Sequence, residues 1–171
     1  MGNEARAPQS GGVSWIWKSG WLAHSVRTAT GAGVSLAIAK AFGFPEPYWA
    51  AITTIVVMES TLGAAWTVSK KRLIGTALGA ALGGALASYF EPGALLFAAA
   101  VFVLGLVCAV LRLDKSAYRF AGITVAIIIL VAHVSPPWRL ALHRFLLVSL
   151  GIAVALVFAA LWPEREPAQG H

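Results

Sequence analysis

Six apolar stretches, separated by short polar or proline-bearing breaks, set the main constraint on how this chain can fold. They run from about Trp21 to Phe44, Tyr48 to Val68, Leu73 to Phe90, Gly93 to Leu111, Tyr118 to Val134 and Leu140 to Trp162. Each comes near the roughly 20 residues that a helix needs to cross a bilayer at about 1.5 Å per residue. The runs are continuous and do not alternate, which points to helices and away from barrel strands. A helix also satisfies its own backbone groups, as hydrocarbon demands. The breaks carry Pro45 and Pro47, the Lys70-Lys71-Arg72 cluster, Glu91-Pro92, the Arg112 to Lys115 segment and Pro136-Pro137, all suited to loops.

Composition agrees with lipid as a solvent. Of 171 residues, 58% are hydrophobic and 12% charged, where an ordinary soluble domain has about 45–50% and about 25%. The expectation is an all-α integral membrane protein of about six transmembrane helices over residues 21–162. A cytoplasmic tail with an interfacial anchor at Trp15 and Trp17 would occupy residues 1–20, and a second tail residues 163–171. The net charge of +6 does not point to nucleic acid, because the basic residues lie in small clusters between apolar runs. Arg6, Lys18, Arg27, Lys70, Lys71, Arg72, Arg112, Lys115, Arg119 and Arg165 fall on one side of a six-span topology. Only Lys40, Arg139 and Arg144 fall on the other. This imbalance places both termini in the cytoplasm. Cys108, the single cysteine, excludes an intrachain disulfide and reads as a small core residue.

Weak internal symmetry suggests two inverted three-helix repeats. Tyr48 and Tyr118 open the second and fifth stretches, and Arg72 and Arg144 each precede a glycine, Gly79 or Gly151, by seven residues. Transporters use inverted repeats to place a site near the membrane midplane. In the third stretch Gly75, Gly79 and Gly83 recur every four residues, giving a face of nearly bare backbone for close helix packing, within the subunit or across a dimer. Arg72 shares that face and either snorkels to the headgroups or lines the cytoplasmic mouth of an anion path. Arg144 is expected at the opposite mouth. Arg27 and Arg119 lie near other segment ends, and guanidinium groups suit carboxylates through bidentate bonds.

Glu59, between Trp49 and Trp66, is expected well inside the bilayer, where an ionised side chain costs at least about 2.5 kcal/mol. It serves either in a structural ion pair or in proton coupling or gating. His24, His133 and His143 read as interfacial residues. No metal-ligand spacing, phosphate loop, nucleophile elbow or catalytic triad is present. The chain is therefore expected to carry no catalytic residues, metal or cofactor, and not to be an enzyme.

The stretch from Tyr48 to Gly83, with Tyr48-Trp49 opening a helix and Arg72 followed by Gly75-Thr76, resembles the fusaric-acid-resistance and aromatic-acid-exporter superfamily of bacterial membrane proteins. The run from Glu59 to Ala64 is also similar to a helix of aluminium-activated malate transporters. The second half matches more loosely through Tyr118-Arg119, Gly122-Ile123-Thr124, Arg144 and Gly151. The resemblance implies an inner-membrane exporter of organic or aromatic carboxylate anions. It carries over Glu59, Arg72, Arg119 and Arg144 as site positions, and many exporters of the family have two such membrane units plus a cytosolic domain. A homodimer is expected to replace the missing half. A passive organic-anion channel and a membrane scaffold without a pathway are the alternatives.

Overall fold

The computed structural model describes residues 20–59, 61–131 and 136–162. Among them all regular structure is helical: α1 (Trp21–Ala41), α2 (Tyr48–Val57), α3 (Leu62–Tyr89), α4 (Ala94–Val110), α5 (Lys115–Leu130) and α6 (Pro137–Leu161). The tails, Ser60 and the stretch holding His133 lie outside the described residues.

Helix ends follow local chemistry. α1 stops at a Schellman turn: Gly43 has φ 71°, its N–H donates to Lys40 O, and the Phe44 N–H donates to Ala39 O. Glycine suits this left-handed position because it lacks a Cβ. α4 ends the same way with Arg112 at φ 53° and Leu113 N–H on Cys108 O. Pro137 sits in the first turn of α6, where its missing N–H costs nothing.

Two sequence expectations are corrected. The second stretch, expected as one span from Tyr48 to Val68, breaks: α2 has 10 residues, and Met58 turns extended with ψ 102°. Thr61 then caps α3, its Oγ1 accepting from Ala64 N–H at 3.2 Å. The expected loop at Lys70-Lys71-Arg72 is instead the interior of α3, a helix of 28 residues about 42 Å long. Lysine and arginine are good helix formers, and no proline or cap interrupts the run. Among the described residues six helices are thus present, but their bounds differ from those of the six apolar stretches. α6 alone among the described residues is both long and apolar enough to cross a bilayer, while α2 and α4 are apolar but shorter.

α3 and α6 form the centre. Along α3, Gly75 faces Ala117 and Phe120, Gly79 faces Ala121 and Thr124, and Gly83 faces Val125 and Ile128, so α3 and α5 run parallel. Gly84 meets Ala141, whereas Val68 and Leu73 pack with Val148, Ile152 and Ala155, so α3 and α6 are antiparallel. α4 covers α5 through Ala100, Leu104 and Cys108 against Ala121, Val125 and Ile129. α1 and α2 cover α6, with Ala39, Ala50 and Leu147 in one cluster.

Candidate anion-binding site

Close backbone approach builds the site. A Cβ on Gly75 or Gly79 would collide with the carbonyl oxygen of Ala117 or Ala121 on α5. On α6, a Cβ on Gly151 would lie 2.5 Å from Ala50 O and 2.6 Å from Thr53 Cβ on α2. The glycine stripe of α3 is therefore in close contact with α5 within the subunit. Gly79 on Ala121 and Thr124 mirrors Gly151 on Ala50 and Thr53, each pair of equivalent residues 71 or 72 positions apart.

The same register carries the arginines. Arg72, on α3, lies with its guanidinium carbon 5.0 Å from the Phe120 ring centroid, and its Nη2 donates to Thr53 Oγ1 at 3.0 Å. Arg144, on α6, lies 3.3 Å over the Trp49 ring. Phe120 and Trp49 are again 71 apart. Both guanidinium groups line one cavity with Trp49, Thr76, Phe120 and Thr124. Its open centre has room for roughly one or two water-sized groups. Arg72 and Arg144, expected at opposite mouths, thus line the same cavity. Arg72 is brought there by the packing of α3 on α5, and Arg144 by the packing of α6 on α2.

The electrostatics are unusual. Arg144 is 3% and Arg72 8% exposed, and they are near enough to repel one another. Glu46, in the α1–α2 connection, acts on Arg144 from a distance, yet neither arginine forms an ion pair among the described residues. Four buried donors around the cavity lack an acceptor there: Arg144 Nε and Nη2, Arg72 Nε and Trp49 Nε1. A cation–π contact is worth about 2 kcal/mol when desolvated, which does not offset burial of an unpaired guanidinium at several kcal/mol. The donors left over suit an acceptor-rich group.

The remaining sequence-derived positions fall elsewhere. Arg27 is fully buried and holds two helix ends, donating from Nη1 to Trp162 O at 2.8 Å and from Nη2 to Glu59 O at 2.6 Å. Cations are favoured at helix C-termini. Glu59, expected in mid-helix, is half-buried at the break after α2 and is not a lining residue. Arg119 is exposed on α5. Lys71 pairs with Asp114 at 2.8 Å, and His143 packs edge-on against Phe44. Among the described residues no three His, Cys, Asp or Glu side chains are grouped to hold a metal. Sequence reasoning missed Trp49, Thr76, Phe120 and Thr124 as lining residues. The 71-residue spacing that links Trp49 to Phe120 and Thr53 to Thr124 was the signal available for them.

Comparison with known proteins gives one family. The model for fusaric acid resistance protein-like sequences matches residues 34–158. The chain is 31% identical over 150 residues to the inner membrane protein YeeA of Escherichia coli (strain K12), a match covering 84% of this chain and 42% of that protein. The chain thus spans less than half the length of this curated relative. No solved structure matches.

Proposed function

We propose that this chain, which belongs to the fusaric acid resistance protein-like family, is an inner-membrane transport protein that exports organic or aromatic carboxylate anions past Arg72 and Arg144. The observation that carries this reading is the pair of buried guanidinium groups on one cavity with donors that find no acceptor. Two like charges removed from water are costly unless a counter-charge is bound, and a site that must also release its anion has reason to supply no resident carboxylate. The membrane setting is supported by the relative's own description and by outward apolar side chains such as Leu95, Phe102, Val110 and Leu161, from 67% to 85% exposed.

The matched contacts of α3 on α5 and α6 on α2 support two inverted three-helix repeats, with the anion at their crossing. A homodimer is part of this reading. Its interface would not use Gly75, Gly79 and Gly83, which are already occupied by α5. In this reading Glu59, which does not line the cavity, takes no part in the anion route.

The test is flux of labelled benzoate in proteoliposomes. Arg144→Gln, folded by size-exclusion, is expected to lower flux at least about tenfold, since a lost charge-assisted bidentate contact exceeds about 1.4 kcal/mol. Undiminished flux in that variant would remove Arg144 from the path. Accumulation above equilibrium under an ion gradient marks an exporter, and simple relaxation of the benzoate gradient marks a channel.

A further inference from the structure

The identity of the unpartnered atoms narrows the ligand beyond its charge. On Arg144 they are Nε and Nη2, the two nitrogens whose N–H bonds lie parallel on one edge of the guanidinium plane. That edge is the fork that meets both oxygens of a carboxylate. Arg72 differs: its Nη2 is engaged by Thr53 Oγ1 and only its Nε is buried without a partner, so its Nε–Nη2 edge is not an open fork like that of Arg144. Trp49 has two roles within one residue. Its ring lies under the Arg144 guanidinium at 3.3 Å, which sets the plane of the fork, and its buried Nε1 lacks an acceptor, although an indole N–H can only donate.

We infer that the cavity binds the head group of a monocarboxylate, held by the Nε–Nη2 edge of Arg144, with Trp49 as the residue that positions this edge and adds a further N–H. The inference rests on the proposed transport of organic anions and specifies which anions the site prefers. The cavity has the size of a head group, so the organic remainder lies toward its mouth. A halide, being spherical, gains charge attraction but cannot use two parallel donors on two separate oxygens. A carboxylate gains both, and its selectivity over a halide is then a property of the fork. Lysine in place of Arg144 would keep the charge and lose the fork.

The experiment measures binding of sodium benzoate and of sodium chloride to the full chain in lipid nanodiscs by titration calorimetry, for wild type, Arg144→Lys and Trp49→Phe. The wild type is expected to bind benzoate more tightly than chloride. Arg144→Lys is expected to weaken benzoate by about tenfold or more while changing chloride by less than about threefold. Trp49→Phe keeps a ring under Arg144 and removes the N–H, and is expected to weaken benzoate by about three- to tenfold. Equal losses for both anions in Arg144→Lys, or none for either, would overturn the fork while leaving an anion site in place. Should Arg144→Lys not fold, unchanged benzoate affinity in Trp49→Phe would overturn it alone. A wild type that binds neither anion would overturn the proposed function together with this inference.

Discussion

One close helix contact that can be probed by a single methyl group is Gly151 of α6 against α2. Gly151→Ala places a Cβ 2.5 Å from Ala50 O, 2.6 Å from Thr53 Cβ and 3.0 Å from Thr53 Cγ2. Backbone oxygen and a β-branched carbon cannot swing aside, so α2 and α6 must separate. The buried bond from Thr54 Oγ1 to Gly151 O, 3.1 Å long, is stretched by the same motion and is worth about 0.5–1.5 kcal/mol. Overpacking adds about 1–3 kcal/mol, and the better helix propensity of alanine returns about 1 kcal/mol. The net loss is about 2 kcal/mol, or roughly 4–8 °C in melting temperature for a chain of this size. Gly33→Ala is the matched control, since a Cβ there meets nothing within 4 Å and should leave stability equal or higher by up to about 1 kcal/mol. Thermal unfolding of both variants in one detergent, at one scan rate, measures the difference. A Gly151→Ala protein that melts with or above the wild type would refute the close α2–α6 packing, and with it the register that brings Trp49 under Arg144.

Two further substitutions separate structural from functional charge. Arg27→Met removes the donors to the carbonyls of Glu59 and Trp162 and is expected to destabilise by about 1–3 kcal/mol, read as a lower melting temperature; an unchanged one would show that the two helix ends need no shared donor. Glu59→Gln keeps the carbonyl that Arg27 uses and lies off the cavity, so stability should change by less than about 0.5 kcal/mol and benzoate flux should match wild type. Loss of flux in Glu59→Gln at normal stability would bring that carboxylate into the transport path.

Much of the frame was legible from residue order. Continuous apolar runs and their punctuation called for helices, and Pro45 with Pro47, Glu91-Pro92 and Pro136-Pro137 lie between them or at their starts near the expected places. The four-residue glycine repeat marked a close contact, because bare backbone on one helical face has no other economical use. The break at Met58 to Thr61 was less visible, since it contains no proline or glycine and depends on a threonine cap and on Arg27, a residue far away in sequence. The basic cluster was misjudged as a loop because its charge was weighed without its partners: Lys71 finds Asp114, and Arg72 turns inward to Thr53 and Phe120.

Sequence by itself determined the helical character, the lipid-compatible surface and the paired Arg–Gly spacing at Arg72 and Arg144, because propensity, hydropathy and periodicity act along the chain. Tertiary structure alone decided that the two arginines share one cavity. That outcome depends on α3 crossing to α5 and α6 crossing to α2, a pairing set by which surfaces fit at close range. The same packing selected which nitrogens of the two guanidinium groups are buried without a partner, and a linear pattern of residue types holds no record of that choice.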